Sequence, residues 1–119
     1  MRTEATISVR RINPNTNAID IGGELTSFAE EELREAINQA NTDEISCIIM
    51  NFRELSYMNS SGIGLLVTSL IRLGREEKKL VGVELNDHFR QVFELTKLNE
   101  AIHIYSTEQE ALKAEHLLD

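Results

Sequence analysis

The sequence predicts an α/β fold: a mixed, mostly parallel sheet of four to five strands, packed with four helices. Short apolar runs alternate with amphipathic stretches along the chain, as in folds whose parallel strands are joined by helices. Near the start, two runs of alternating apolar and polar residues flank a turn-rich segment, which predicts an antiparallel hairpin. Because 119 residues fit one ordinary domain, we expect a single domain over residues 1–119.

The predicted hairpin joins residues 5–12 to residues 18–21 across the turn formers Asn13–Asn17, and Gly22 and Gly23 end its second strand. Ser27 then begins the first helix. In the stretch 27–30, a serine is followed three residues later by a glutamate, the pattern of a capping box. The inward face of this helix is predicted to carry Ala29, Leu33, Ile37 and Ala40.

The second half of the pattern supplies three strands and three helices. Residues 45–52 are apolar on both faces, which predicts a central strand covered on both sides. The second helix begins at Asn59–Ser60 and runs to about Gly74, a candidate C-cap. A strand at 79–85, a helix capped by Asp87, a strand at 102–105 and a capping box at 107–110 follow. The residues expected to face inward are Ile63, Leu66, Val67 and Leu70 in the second helix, Phe89, Val92, Phe93 and Thr96 in the third, and Ala111 and Leu112 in the fourth.

Composition excludes several classes of function. Twenty acidic residues against twelve basic ones give a net charge of −8, which repels nucleic acid and anionic membranes. The single cysteine, Cys47, lies in an apolar run, so we expect a buried side chain and no internal disulfide. The first twenty residues lack an apolar signal core and no apolar stretch reaches 18 residues, so a cytoplasmic protein is expected.

Catalytic and metal-binding patterns are missing from the sequence. The histidines at positions 88, 103 and 116 have no ligand spacing with each other or with the cysteine, so no metal site is expected. The phosphate-binding loop, the dinucleotide fingerprint and the nucleophile elbow are also absent. The sequence therefore predicts a protein that is not an enzyme and needs no cofactor.

One segment, residues 55–67, is unusual because it places Ser60 and Ser61 at the start of a helix. Free backbone N–H groups and the helix dipole favour negative charge there. A phosphate on Ser61 would add about −1.5 to −2 charges and block docking without unfolding the domain. Alternatively, Asn59 or Ser60 is simply a cap and Ser61 an ordinary first-turn residue. Leu65 and Ile71 fall outside the inner stripe, so a neighbouring helix or a partner covers them.

These residues carry a family resemblance. The stretch Leu55–Gly64 resembles the signature of STAS domains, especially the stand-alone anti-sigma factor antagonists of bacteria, whose usual form is Met-Asp-Ser-Ser/Thr-Gly-hydrophobic-Gly. The stretch 23–26 is similar to their Gly-Glu-Leu-Asp, residues 48–52 to their preceding strand, and residues 89–98 to their third helix. Asn59 and Thr26 stand where the family has aspartates.

The resemblance implies a phosphorylation switch. Such antagonists bind an anti-sigma factor that is also a GHKL-type serine kinase, and a PP2C-type phosphatase reverses the phosphorylation that releases it. The acceptor would be Ser61, with Ser60 as the fallback. The partner-binding face would comprise Thr26, Ser27, Asn59, Ser60, Ser61, Gly62, Ile63 and Leu66 on a monomer or weak homodimer. A scaffold subunit that does not switch and a domain that binds a small anionic ligand are the alternatives.

Overall fold

The computed structural model describes residues 4–117, which form six strands and four α-helices. The strands are β1 (Thr6–Asn13), β2 (Thr16–Leu25), β3 (Cys47–Asn51), β4 (Leu55–Met58), β5 (Lys79–Val83) and β6 (His103–Tyr105). The α-helices are α1 (Glu30–Ala40), α2 (Ser60–Arg75), α3 (Asp87–Leu95) and α4 (Glu108–Ala114).

The sheet has the order β1-β2-β3-β5-β6, and β4 pairs separately with β2. β1 runs antiparallel to β2, while the pairs β2–β3, β2–β4, β3–β5 and β5–β6 are parallel. The mixed α/β fold with an N-terminal antiparallel hairpin is therefore confirmed. β3 lies at the centre, and its residues Cys47–Met50 are fully buried, as predicted for a strand covered on both faces.

Two apolar clusters lie on opposite faces of the sheet, because successive side chains of a strand point to opposite sides. Ile48 and Met50 of β3 belong to the larger cluster, together with the buried faces of α1, α2 and α3. Cys47 and Ile49 belong to the smaller cluster, which α4 covers. Burial raises the pKa of the Cys47 thiol to about 11, so this side chain is an inert part of the core.

A network of polar contacts attaches the end of α4 to β5 and β6. The carboxylate of Glu115, which is only 7% exposed, accepts hydrogen bonds from Tyr105 and from Lys79 Nζ at 2.9 Å, and lies 2.9 Å from Nδ1 of His103. These contacts, that of Tyr105 first, lower the pKa of Glu115 to about 2.

The strands differ from the prediction near the glycine pair. Gly22 and Gly23 do not end β2, which begins at Thr16 and continues to Leu25. Gly23 has a φ of 73° at a register shift between β2 and β4, and a Cβ there would lie 2.3 Å from the Glu4 carbonyl oxygen. Glycine therefore lets β2 bend and gain a second parallel partner, β4, which the sequence analysis did not predict.

Three helix ends also differ. Thr26, not Ser27, provides the first cap: its Oγ1 accepts from the Phe28 N–H at 3.3 Å and opens a 3₁₀ turn, Ser27–Ala29, ahead of α1. Asn86, not Asp87, caps α3. Gly74 is not a C-cap, because α2 continues to Arg75.

Most of the predicted inward faces are confirmed. Ala29, Leu33, Ile37 and Ala40 are buried, as are Leu66, Leu70, Phe89, Phe93, Ala111 and Leu112. Ile63, Val67 and Val92 are only half-buried, and Thr96 is exposed because α3 has already ended at Leu95. Thr107 caps α4 by accepting from the Glu110 N–H at 3.1 Å, but the Glu110 carboxylate accepts from Ser106 rather than from the cap residue.

Candidate functional site

Two chain segments leave the sheet side by side at the carboxyl ends of β2 and β4. The strands are parallel, with Leu25 opposite Met58, so the residues that follow them leave the same edge. Thr26 opens the 3₁₀ turn before α1, and Asn59 opens α2. The Asn59 N–H donates to the Leu25 carbonyl at 3.3 Å and joins the two exits.

Asn59 caps α2 as the serine-rich motif predicts. Its Oδ1 accepts from the Gly62 N–H at 2.9 Å, and its backbone carbonyl accepts from the Ile63 N–H at 2.9 Å. Ser60 and Ser61 occupy the first turn, and both are exposed. Of the four free N–H groups at this helix start, one is bound by the cap, and the helix dipole leaves the turn partly positive.

The backbone of α2 packs directly against β2 at Gly62. A Cβ at this position would lie 2.0 Å from the Leu25 carbonyl oxygen and 3.1 Å from Cγ of Met58. Glycine is therefore required for α2 to start where it does. Gly64, two residues further along α2, is different: apart from its chain neighbours and the adjoining backbone of the helix, none of the described residues has a heavy atom within 4 Å of the place where its Cβ would be.

A hollow of about 300 Å³ lies between the two exits. Thr26 and Asn59 both line it, so the structure brings together the two positions where the family motif carries aspartate. Glu24 and Glu32 line it as well, and the rim is therefore acidic.

The structure separates the predicted partner-binding residues into surface and core. Ser27, Ser60 and Ser61 are exposed, and Thr26, Asn59 and Ile63 are half-buried. Gly62 is buried against β2. The prediction that Leu66 lies on the contact face is wrong, because its side chain is 0% exposed and belongs to the larger core cluster.

Two exposed aromatic residues were missed by the sequence analysis. Phe28 lies in the 3₁₀ turn and is 68% exposed; Tyr57 lies on β4 and is 50% exposed. Each is a large apolar residue in a polar stretch just before one of the two helices, and that pattern could have identified them. They add apolar surface at the edge where the serines lie.

Leu65 and Ile71, the apolar residues of α2 outside its predicted inner stripe, have different surroundings. Leu65 is half-buried: it packs against the larger core cluster and lines a groove between α1 and α2 with Leu33 and Ile37, so α1 covers it in part. Ile71 remains 49% exposed on the outer face of α2.

Within residues 4–117, no group of three or more His, Cys, Asp or Glu side chains could hold a metal ion. His88 and His116 are exposed, and the exposed His103 contacts Glu115. No helix in the described part of the chain combines the length and apolar character needed to span a bilayer.

Comparison with known proteins identifies the family. The family model described as "STAS domain" matches residues 8–111, which is most of the chain. The chain belongs to the STAS domain family. The match includes the signature segment, residues 55–64, so the family is the one that this segment resembles.

Two relatives of this STAS domain are named as anti-sigma-B factor antagonists. The chain is 33% identical over 86 residues to the anti-sigma-B factor antagonist of Staphylococcus aureus (strain NCTC 8325 / PS 47), covering 72% of this chain and 80% of the relative. It is 30% identical over 106 residues to the anti-sigma-B factor antagonist of Listeria monocytogenes serovar 1/2a, covering 87% and 93%.

The fold is similar to that of the anti-sigma factor antagonist SpoIIAA. Its unphosphorylated form matches with a TM-score of 0.70 and 26% identity, covering 95% of this chain and all of that one. The phosphorylated form of the Bacillus SpoIIAA matches with a TM-score of 0.67 and 28% identity, covering 92% and 98%. SpoIIAA is therefore a relative that has been characterised in both states.

Proposed function

We propose that this STAS domain is an anti-sigma factor antagonist that is switched by phosphorylation of Ser61. In the unphosphorylated state it binds an anti-sigma factor that is also a GHKL-type serine kinase; phosphorylation releases the kinase. A PP2C-type phosphatase restores the binding form. The names of the relatives support the regulatory role, and SpoIIAA is a relative with a phosphorylated form.

The observation that carries the proposal is the position of Ser61. Its side chain is exposed in the first turn of α2, two residues after the cap Asn59, at an edge bordered by exposed aromatic surface. A kinase can reach a hydroxyl placed in this way without local unfolding. Ser60 is also exposed and is the fallback acceptor.

A phosphate at this place would act on binding rather than on folding. The helix dipole offsets part of its charge, so the domain tolerates the modification. A partner that packs against the apolar surface near Tyr57 would have to desolvate a group of about −1.5 to −2 charges. Each 1.4 kcal/mol of such a penalty weakens binding about tenfold, so a penalty of about 3 kcal/mol lowers affinity about a hundredfold.

The contact face proposed here consists of the exposed and half-buried residues around the serines. It keeps Thr26, Ser27, Asn59, Ser60, Ser61 and Ile63 of the predicted set, and it adds Phe28 and Tyr57. Leu66 and Gly62 are excluded because they are buried.

The test begins with incubation of the protein with its GHKL-type kinase and ATP, followed by mapping of the phosphate by mass spectrometry. We expect phosphate on Ser61 and loss of kinase binding. Ser61→Ala should stay bound and remain unmodified, and Ser61→Asp should bind weakly. Ser8→Ala, which changes an exposed serine on β1 outside the contact face, is the control and should still be phosphorylated. Phosphate only on Ser60, or on neither serine, would refute the assignment.

A further inference from the structure

The cap residue of α2 has a hydrogen-bond donor that the fold does not use. A backbone N–H can only donate, so the Asn59 atom that lies 2.9 Å from the Gly62 nitrogen must be the oxygen. This fixes the orientation of the amide and leaves its two N–H donors on the other atom. Among residues 4–117, no acceptor is hydrogen-bonded to that nitrogen.

The unused donor is on the cap residue of α2, two positions before the proposed phosphate acceptor in the sequence. The Asn59 side chain extends along the first turn of α2 as far as the nitrogen of residue 62, and Ser61 is in that same turn. Asn59 is half-buried and lines the hollow together with Thr26. Glu4, Glu24 and Glu32 line the same hollow, so the Asn59 amide is a neutral donor in otherwise acidic surroundings.

We propose that Asn59 is a positioning residue for the phosphate on Ser61: its amide donates a hydrogen bond to the phosphate while its oxygen continues to cap α2. This inference rests on the proposed function, because it assigns a role in the same switch. An aspartate could cap the helix equally well. It could not donate, however, and its charge would repel the phosphate. The amide should therefore favour the phosphorylated state of this chain.

The chain contains a matched control for this idea. Asn86 caps α3 in the same way, with its Oδ1 accepting from the Phe89 N–H at 2.8 Å. Asn59→Asp and Asn86→Asp are therefore the same change at two helix caps, and only one of them lies beside Ser61. Both variants should fold, because asparagine and aspartate are equivalent caps and a helix start favours negative charge.

The experiment uses protein with phosphoserine genetically encoded at position 61, so that no kinase is needed. Without phosphate, both variants should melt at or slightly above the wild-type temperature. With phosphate, Asn59→Asp should melt about 2–5 °C below the phosphorylated wild type at low salt, and Asn86→Asp should not. A fall of the same size in both variants, or in neither, would overturn the proposal.

A spectroscopic readout separates a hydrogen bond from a general charge effect. In ¹⁵N–¹H spectra, phosphorylation should shift the side-chain amide protons of Asn59 downfield and slow their exchange with water. The Asn86 amide should not change. An unchanged Asn59 amide would refute the hydrogen bond. Because the phosphate is installed during synthesis, these results are independent of whether a kinase modifies Ser61, so this inference and the proposed function can fail separately.

Discussion

Replacing Gly62 with alanine tests how closely α2 must approach β2 to hold Ser61 in place. A Cβ at position 62 would lie 2.0 Å from the Leu25 carbonyl oxygen, whereas ordinary contacts begin near 3.4 Å. The start of α2 would have to retreat by about 1 Å or more. The hydrogen bond from the Asn59 N–H to the same carbonyl is already 3.3 Å long and would break.

The size of the effect follows from three contributions. Loss of one hydrogen bond costs about 1 kcal/mol. Overpacking against Leu25 and Met58 costs about 1–3 kcal/mol. Alanine returns up to about 1 kcal/mol through its higher helix propensity. We therefore expect Gly62→Ala to lose about 2 kcal/mol of unfolding free energy, which lowers the melting temperature by about 8 °C in a domain of this size.

Urea unfolding followed by circular dichroism measures this difference, and Gly74→Ala provides the control. Gly74 is in the same helix, and apart from its chain neighbours and the adjoining helix backbone no described residue has a heavy atom within 4 Å of the position of its missing Cβ. That variant should gain about 0.5 kcal/mol from propensity alone. If Gly62→Ala were as stable as Gly74→Ala, α2 would not be seated against Leu25 and the description of the site would be wrong.

Three further predictions concern pH dependence and binding. Glu115→Gln should lose about 1–2 kcal/mol of stability at pH 7, a value reduced because solvent screens the exposed partners of Glu115. At pH 2 it should lose only a small part of that, because about half of the folded-state carboxylates are then protonated. The direction of this pH dependence follows from the pKa of Glu115, which the fold lowers to about 2. The ionised Glu115 stabilises the folded state fully above the ordinary pKa of a glutamate, and this stabilisation is lost as the pH falls through the folded-state pKa. Urea unfolding at both pH values tests this, and an equal loss at both would contradict it. Gly64→Ala should raise the melting temperature yet weaken kinase binding in calorimetry, because Gly64 lies one turn after Ser60 on the exposed side of α2 and the added methyl group would protrude next to the proposed contact face. Unchanged binding would show that this part of α2 does not contact the kinase. Tyr57→Ala should weaken kinase binding about tenfold in the same assay. The control is Leu95→Ala, which removes an 83% exposed side chain from α3 and should leave kinase binding unchanged. Equal effects of the two variants would show that Tyr57 is not part of the contact face.

The parts of the fold that follow from side-chain periodicity could be predicted from the sequence. The apolar run at 45–52 predicts a strand covered on both faces, because successive side chains of a strand point to opposite sides. Leu33 and Ile37 must share one face of α1, because they are four residues apart in a helix. The Asn59 cap was similarly predictable, since few side chains can accept from a helix start.

What could not be predicted depends on backbone placement in three dimensions. The continuation of β2 through Gly22 and Gly23 depends on β4 being available as a partner, and β4 is only four residues long. The choice of Thr26 over Ser27 as a cap depends on a 3₁₀ turn that places one hydroxyl, and not its neighbour, near a free N–H. Adjacent capping-competent residues look equivalent in a sequence.

At the candidate site, some residues were placed correctly from the sequence and others were not, for the same physical reason. The motif located Ser60 and Ser61 at an exposed helix start, because capping is a local property. Leu66 was assigned to two faces: helical spacing placed it inward, which the structure confirms, whereas the family resemblance also placed it on the contact face, where a buried side chain cannot lie. Gly62 was part of the motif, but only the structure shows that it contacts the Leu25 carbonyl.

The complete burial of Cys47 has a practical consequence for observing the switch. With its thiol held protonated in the sheet, the chain has no native cysteine that a maleimide dye would readily label. A cysteine introduced at an exposed position of α1, by Glu35→Cys for example, would therefore be labelled selectively. A fluorophore placed there would report arrival and departure of the kinase in real time, with both serines intact.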